Sequence, residues 1–170
     1  MDRRSGCPIN QSIEILGDRW SFIVLRDIMF GNFRSYRELL TNSLEGIATN
    51  ILAARLKHLQ AEGLVTIASD PLHKQRKVYS LTEKAIALVP VMAQLGVWGV
   101  QYLTPSPELA IRAKVLAAGG PEMWEDFMGE LREIHLGKKR SAGSRSVLAE
   151  LQSAYEEEVR KSSGSERESS

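Results

Sequence analysis

The side chains in this 170-residue sequence that could do chemistry fall into three groups. None of them supplies a nucleophile with a matching base, a glycine-rich phosphate loop or a spaced set of metal ligands. The first group is a single residue. Cys7 precedes Pro8 at the start of an expected helix, where unpaired backbone N–H groups and the helix dipole favour a thiolate, and Arg3 and Arg4 lie nearby. Any redox chemistry must centre on this thiol, which makes it a candidate redox sensor. The same position also suits a half-buried thiol packed as a small hydrophobe. One cysteine excludes an internal disulfide, and three scattered histidines beside it, among them His58 and His135, make no metal cluster. No metal, no cofactor and no enzymatic activity are expected.

The second group lies in EGIATNILAARLKHLQAEGLV, Glu45 to Val65. At 100° per residue, Leu52, Leu56 and Leu59 gather on a core face with Arg55 at its margin. Asn50, Ala54, Lys57 and Ala61 fall opposite, flanked by Ala53 and His58. An ordinary surface helix explains the alanines by propensity. A helix that enters the major groove of DNA explains more, because it needs an outer face free of bulk, short polar groups near its N-terminus and a cation for phosphate. Thr49, Asn50, Ala53, Ala54 and Lys57 fit that description. The third group, His73, Lys74, Arg76 and Lys77, sits in the basic loop SDPLHKQRK directly downstream, where loop cations either stay solvated or meet phosphates.

The elements that would position these groups follow from local signals. Ile9, Ile13 and Leu16, with Pro8 in the first turn and Gly17 at the exit, predict a first helix. Asp18 caps a second, with Trp20, Ile23, Val24, Ile28 and Met29 as its buried stripe, ending near Gly31. Ser35 and Glu38 form an S-x-x-E capping box ahead of Leu39 and Leu40, so a third short helix starts there. The small-faced helix is the fourth, stopped by Gly63. LVTIA and VYSL then pair as a hairpin around the basic loop. Thr82 caps a long helix that carries Ile86, Leu88, Val89, Met92, Leu95 and Trp98, and Pro90 should kink it. After TPSPE, three more helices are expected, with breaks at Gly119–Gly120 and at the basic stretch GKKRSAGSR. The second of these three carries an apolar stripe of Trp124, Phe127, Met128, Leu131 and Ile134. The tail from 162 has no apolar side chain and is expected to be disordered.

Cys7 to about Gly99 resembles the HxlR-type winged helix-turn-helix transcriptional regulators. The resemblance rests on CPINQSIEILGDRWSFIVLRDIMFG, FRSYRELL, GIATNILAARLKHLQAEGLV and VYSLTEKAIALVPVMAQLGVWG, in the family's order and spacing. It implies a homodimer paired by long flanking helices, with two recognition helices on the halves of an inverted repeat and Trp98 near the subunit interface. It places recognition on Thr49, Asn50, Ala53 and Lys57, and the wing contacts on Lys74, Arg76 and Lys77. Some members use a cysteine at the position of Cys7 to answer oxidants or electrophiles. The region from Pro105 onward lies outside the resemblance.

The expected fold class is mainly α with a small β-hairpin wing: a winged helix-turn-helix plus a C-terminal helical extension. The expected divisions are residues 1–103 for DNA binding and dimerisation, 104–161 for the extension and 162–170 for the tail. Residues 1–104 hold 12 Lys/Arg against 9 Asp/Glu and the rest 10 against 12, so an anionic partner must be met by local clusters. The expected function is a sequence-specific DNA-binding regulator, a repressor, with double-stranded DNA, a second copy and a small-molecule or oxidant effector as partners. A winged-helix protein-interaction module and a regulator gated by an unidentified small ligand stay open beside it. No apolar run approaches the ~20 residues of a membrane span, and the N-terminus has no signal-peptide pattern, so no membrane association and a cytoplasmic location are expected.

Overall fold

The computed structural model describes residues 5–70, 73 and 75–168, the side chains of 164–168 excepted. The element order is α1 (Pro8–Leu16), α2 (Ser21–Gly31), α3 (Tyr36–Thr41), α4 (Thr49–Ala61), β1 (Val65–Ser69), β2 (Lys77–Leu81), α5 (Glu83–Ile86), α6 (Val89–Tyr102), α7 (Pro107–Leu136) and α8 (Val147–Glu168). The chain divides into two compact units, Met1–Ile86 and Ala87–Ser170. α6, expected to belong with the winged helix in residues 1–103, makes its helix–helix packing with α7 in the second unit.

In the first unit, local chemistry sets each helix end. Asp18 accepts hydrogen bonds from the Trp20 N–H at 2.9 Å, the Ser21 N–H at 3.0 Å and the Ser21 hydroxyl, satisfying donors at the start of α2. Asn32, at φ 49°, ends α2 in the left-handed conformation, which asparagine tolerates better than most residues. The Ser35–Glu38 capping box is complete. Gly63 ends α4 at φ 68°, and the Leu64 N–H returns to the Leu59 carbonyl at 2.8 Å in a Schellman-type closure.

The core of this unit joins Val24, Leu25, Ile28 and Met29 of α2 to Leu39 of α3, Leu52, Leu56 and Leu59 of α4, and Leu64, Val65, Leu81 and Ile86. Trp20 and Ile23, expected in the buried stripe of α2, are only half-buried, and Leu25 takes the place at the centre. The Arg19 guanidinium lies 5.2 Å from the centre of the Trp20 ring, a cation–π contact on its open side. β1 and β2 pair antiparallel, Val65 opposite Leu81 and Ser69 opposite Lys77. The Tyr79 N–H donates to the Arg34 carbonyl at 2.7 Å, so the segment before α3 lies along the outer side of β2. α3, α4 and this hairpin form a winged helix-turn-helix.

The long helix expected from Thr82 is two helices. Pro90 has no N–H and its ring clashes with a helical carbonyl four residues back, so α5 ends at Ile86 and α6 restarts with Pro90 in its first turn. By length and composition alone, Glu83–Tyr102 would suffice to cross a membrane, contrary to the expectation that no run comes close. The break at Pro90 leaves α6 with 14 residues, about 21 Å, short of the ~30 Å hydrocarbon core.

The second unit is built around α7. Gly96 of α6 lets α7 approach, since a Cβ there would lie 3.0 Å from the Ala113 Cβ. α7 kinks at Gly120 (φ 58°, ψ −156°), a conformation closed to other residues, and Pro121 follows. The Trp124 indole N–H bridges the kink to the Leu116 carbonyl at 2.8 Å. Leu116, Met123, Phe127 and Leu131 of α7 are buried, as are Val147 and Leu151 of α8. Trp124, Met128 and Ile134, the rest of the expected stripe, are half-buried. The buried Glu130 carboxylate accepts from the Ser146 hydroxyl at 2.6 Å and the Leu148 N–H at 3.1 Å, fixing the start of α8. The basic stretch between these helices is structural in part. Arg140 donates to Glu133 at 2.9 Å and to the Arg145 carbonyl at 2.7 Å, and Arg145 pairs with Glu150 at 2.6 Å.

α8 runs to Glu168, through residues 162–168 of the segment expected as a disordered tail. Once a helix is nucleated, each added residue gains a backbone hydrogen bond, and the Lys161–Glu157 pair at 2.9 Å supports the last described turns.

Candidate nucleic-acid interface

α4 has the two faces its sequence predicts. Leu52, Leu56 and Leu59 are buried, whereas Thr49, Asn50, Ala53, Ala54 and Lys57 are all exposed on one side. Its N-cap, Ala48, is extended and makes no side-chain cap, so N–H groups of the first turn point outward as donors without a capping oxygen. Short side chains at 49, 50, 53 and 54 leave the backbone approachable from that side, the geometry that a phosphate or a base edge requires.

The back of α4 is anchored by polar contacts as well as by leucines. Arg55 pairs with Asp18 at 3.0 Å, and His58 Nε2 lies 2.8 Å from the Ile15 carbonyl, tying the helix to the α1–α2 junction. His58 thus has a packing role. Tyr36 is a residue that sequence reasoning missed: its hydroxyl donates to the Thr49 carbonyl at 2.7 Å and fixes the start of α4 against α3. Only the fold brings residues 36 and 49 together, and no local motif marks the pair.

The wing residues differ from one another. Lys74 lies outside the described residues. His73, Arg76 and Lys77 are exposed, and Lys77 Nζ donates to the Ser69 hydroxyl at 3.3 Å. Arg76 is engaged by acids: Nη2 donates to Glu38 Oε1 at 3.0 Å, and Nε lies 3.9 Å from Asp70 Oδ2. Burial works against ionisation of Glu38, but hydrogen bonds from Ser35 and Arg34 and the Arg76 charge outweigh it, leaving the carboxyl below its ordinary range. Its contribution to stability is therefore complete above the ordinary glutamate range and is lost as pH falls through the lowered value.

Cys7 is exposed at the N-cap of α1, its own N–H donating to the Ser5 hydroxyl at 3.3 Å. Two apolar stripes are also exposed, one in each unit. Ile9 and Ile13 are 70% and 59% exposed on α1. On α6, Val91, Leu95, Trp98 and Tyr102 follow one another at helical spacing with about half of each surface open, and the Trp98 and Tyr102 ring centroids stand 5.7 Å apart. Trp98, by residue type a core side chain, is 53% exposed. Among the described residues, no group of three or more His, Cys, Asp or Glu side chains is arranged to hold a metal.

The sequence profile of the HxlR-like helix-turn-helix family matches residues 15–107. The uncharacterised HTH-type transcriptional regulator YvaP of Bacillus subtilis (strain 168) is 30% identical over 107 residues, covering 62% of this chain and 97% of YvaP. The HTH-type transcriptional regulator YodB of the same organism is 31% identical over 100 residues, 58% of this chain and 88% of YodB. Among solved structures, PA1607, proposed to be a transcription factor, superposes with a TM-score of 0.55 at 31% identity, over 62% of this chain and 71% of PA1607.

Proposed function

This chain belongs to the HxlR-like helix-turn-helix family of transcriptional regulators, and on that basis we propose that it is a cytoplasmic, homodimeric repressor that recognises an inverted-repeat operator. The observation that carries the reading is the outer face of α4, where Thr49, Asn50, Ala53 and Lys57 are exposed together on a helix held rigidly from behind. Thr49 and Asn50 approach base edges, Ala53 gives clearance, and Lys57 meets phosphate. The wing adds phosphate contacts from Lys74 and Lys77. Binding to duplex DNA should fall steeply with salt, because each neutralised phosphate releases counterions. Titration of a random-sequence duplex at several salt concentrations tests this directly, and affinity independent of salt would favour a protein-interaction module.

Asn50 is assigned base readout. Asn50→Ala is expected to relax sequence preference at one position of each half-site by about 1–3 kcal/mol, the worth of a bidentate contact. Affinities for a set of single-base operator variants measure it, and an equal loss on every sequence would reduce Asn50 to a helix-positioning role.

The apolar stripes on α1 and α6 support the dimer, since large exposed apolar side chains in series mark an association surface. Cys7, exposed at the start of α1, is the proposed sensor through which an oxidant or electrophile alters DNA binding. Mild oxidation is expected to weaken operator binding by the wild type and to leave Cys7→Ser unaffected. Parallel binding curves in reductant and after diamide, which takes two electrons and two protons from a pair of Cys7 thiols of two copies and leaves them joined as a disulfide, would show it, and an identical response of the two proteins would remove Cys7 from the mechanism.

A further inference from the structure

Arg76 stands immediately before β2 at the base of the wing, and its guanidinium already has anionic partners, Glu38 at 3.0 Å and Asp70 at 3.9 Å. Glu38 divides its two oxygens. Oε2 accepts from the Arg34 N–H at 3.1 Å, the Ser35 N–H at 2.8 Å and the Ser35 hydroxyl at 2.8 Å, and Oε1 is turned to Arg76. The backbone closes the same seam, with the Asp70 N–H on the Arg76 carbonyl at 2.9 Å and the Tyr79 N–H on the Arg34 carbonyl at 2.7 Å. One carboxylate therefore joins the start of the helix-turn-helix to the base of the wing.

We propose that Arg76 is a positioning residue that latches the wing to the start of α3 through Glu38, and that it is not one of the phosphate contacts. The inference rests on the DNA-binding reading and changes the role that charge and family resemblance give this residue. Counterion release follows phosphates that are newly neutralised. An arginine held between two carboxylates would have to exchange one anion for another, with little net charge gained. Lys77, whose ammonium donates to the neutral Ser69 hydroxyl, gains a full charge pair when a phosphate arrives. The latch acts on geometry: it sets the angle at which the wing leaves the sheet, and hence whether Lys77 reaches the backbone while α4 lies in the groove.

The test is a salt series of duplex titrations on wild type, Arg76→Met, Glu38→Gln, the double variant and Lys77→Met. Glutamine at 38 retains an acceptor for the capping box and drops the charge that holds Arg76. Lys77→Met is expected to reduce the log–log salt slope by about 1.8, about 0.9 for the phosphate met by each of the two copies. Arg76→Met and Glu38→Gln are each expected to weaken binding by about two- to fivefold, the scale of an exposed ion pair, with the slope unchanged. The double variant should bind no worse than either single one, because both remove the same interaction. A drop in slope for Arg76→Met equal to that of Lys77→Met, or tighter binding by Glu38→Gln, would overturn the latch. Wild-type protein that shows no salt-dependent binding to any duplex would instead count against the DNA-binding reading. The latch is then judged on the free protein by amide hydrogen exchange: faster exchange of the Asp70 and Tyr79 N–H groups in both single variants supports it, and unchanged exchange overturns it.

Discussion

Leu95→Glu is expected to turn the proposed dimer into monomers and to lower affinity for a full inverted repeat by about 10²–10⁴-fold. Leu95 sits between Val91 and Trp98 on the open stripe of α6 and is half exposed in the single chain. A carboxylate there costs the monomer little because it stays in water. Between two copies, set among Val91, Trp98 and Tyr102, it would lose hydration that apolar neighbours do not replace. Once the copies separate, the second recognition helix no longer benefits from the effective concentration that its tethered partner creates. Sedimentation equilibrium gives the oligomeric state, and titration of full-site and half-site duplexes gives the affinity loss. A variant that stays dimeric and binds the full site as tightly as wild type would move the dimer interface away from α6. An undiminished helical signal at low temperature and a single cooperative loss of it on heating would show that the monomer fold is intact, with a midpoint lowered only by the stability that dimerisation supplied.

The second large effect is in the core behind the recognition helix. Leu52 is fully buried on α4, one residue from the exposed Ala53. Leu52→Ala removes a buried methine and its two methyl groups and leaves a cavity, so unfolding free energy should fall by about 2–5 kcal/mol. Ala54→Ser, on the outer face of the same helix, should change stability by no more than about 0.5 kcal/mol. Urea denaturation of the two variants at one protein concentration makes the comparison, the concentration being fixed because dimerisation adds to apparent stability. Equal stability losses at 52 and 54 would mean that α4 is not two-faced, and the interface would lose its physical basis.

How much of this was legible in the sequence depended on the range of the interaction. The Ser35–Glu38 capping box, Gly63 as the stop of α4 and the two faces of α4 are set within a few residues, and local rules found each of them; Asp18, expected as the cap of α2, accepts from Trp20 and Ser21 at the start of the helix while Trp20 takes the N-cap position. Pro90 announced a disturbance, but whether the helix bends or divides is not written in the proline itself: the break falls at residues 87–88, between the buried Ile86 and Val89. Gly96 could be understood only when Ala113 was seen against it, and the Tyr36–Thr49 bond only when α3 was seen against α4. At the candidate site, exposure of the recognition face followed from periodicity. The role of Arg76 did not, because its partner Glu38 is 38 residues away and already had a local function as a capping residue. Charge counting treats Arg76 and Lys77 alike, and only their neighbours separate them.

In the proposed mode of action, a dimer of this chain reads an inverted repeat with the outer face of α4. Selection of bound duplexes from a random pool, carried out side by side with wild type and Asn50→Ala under reducing conditions, tests it most directly. An enriched inverted repeat for wild type, with information lost at one symmetric pair of positions in the variant, is the predicted result. Enrichment of no sequence, or the same repeat with undiminished preference for both proteins, would contradict it.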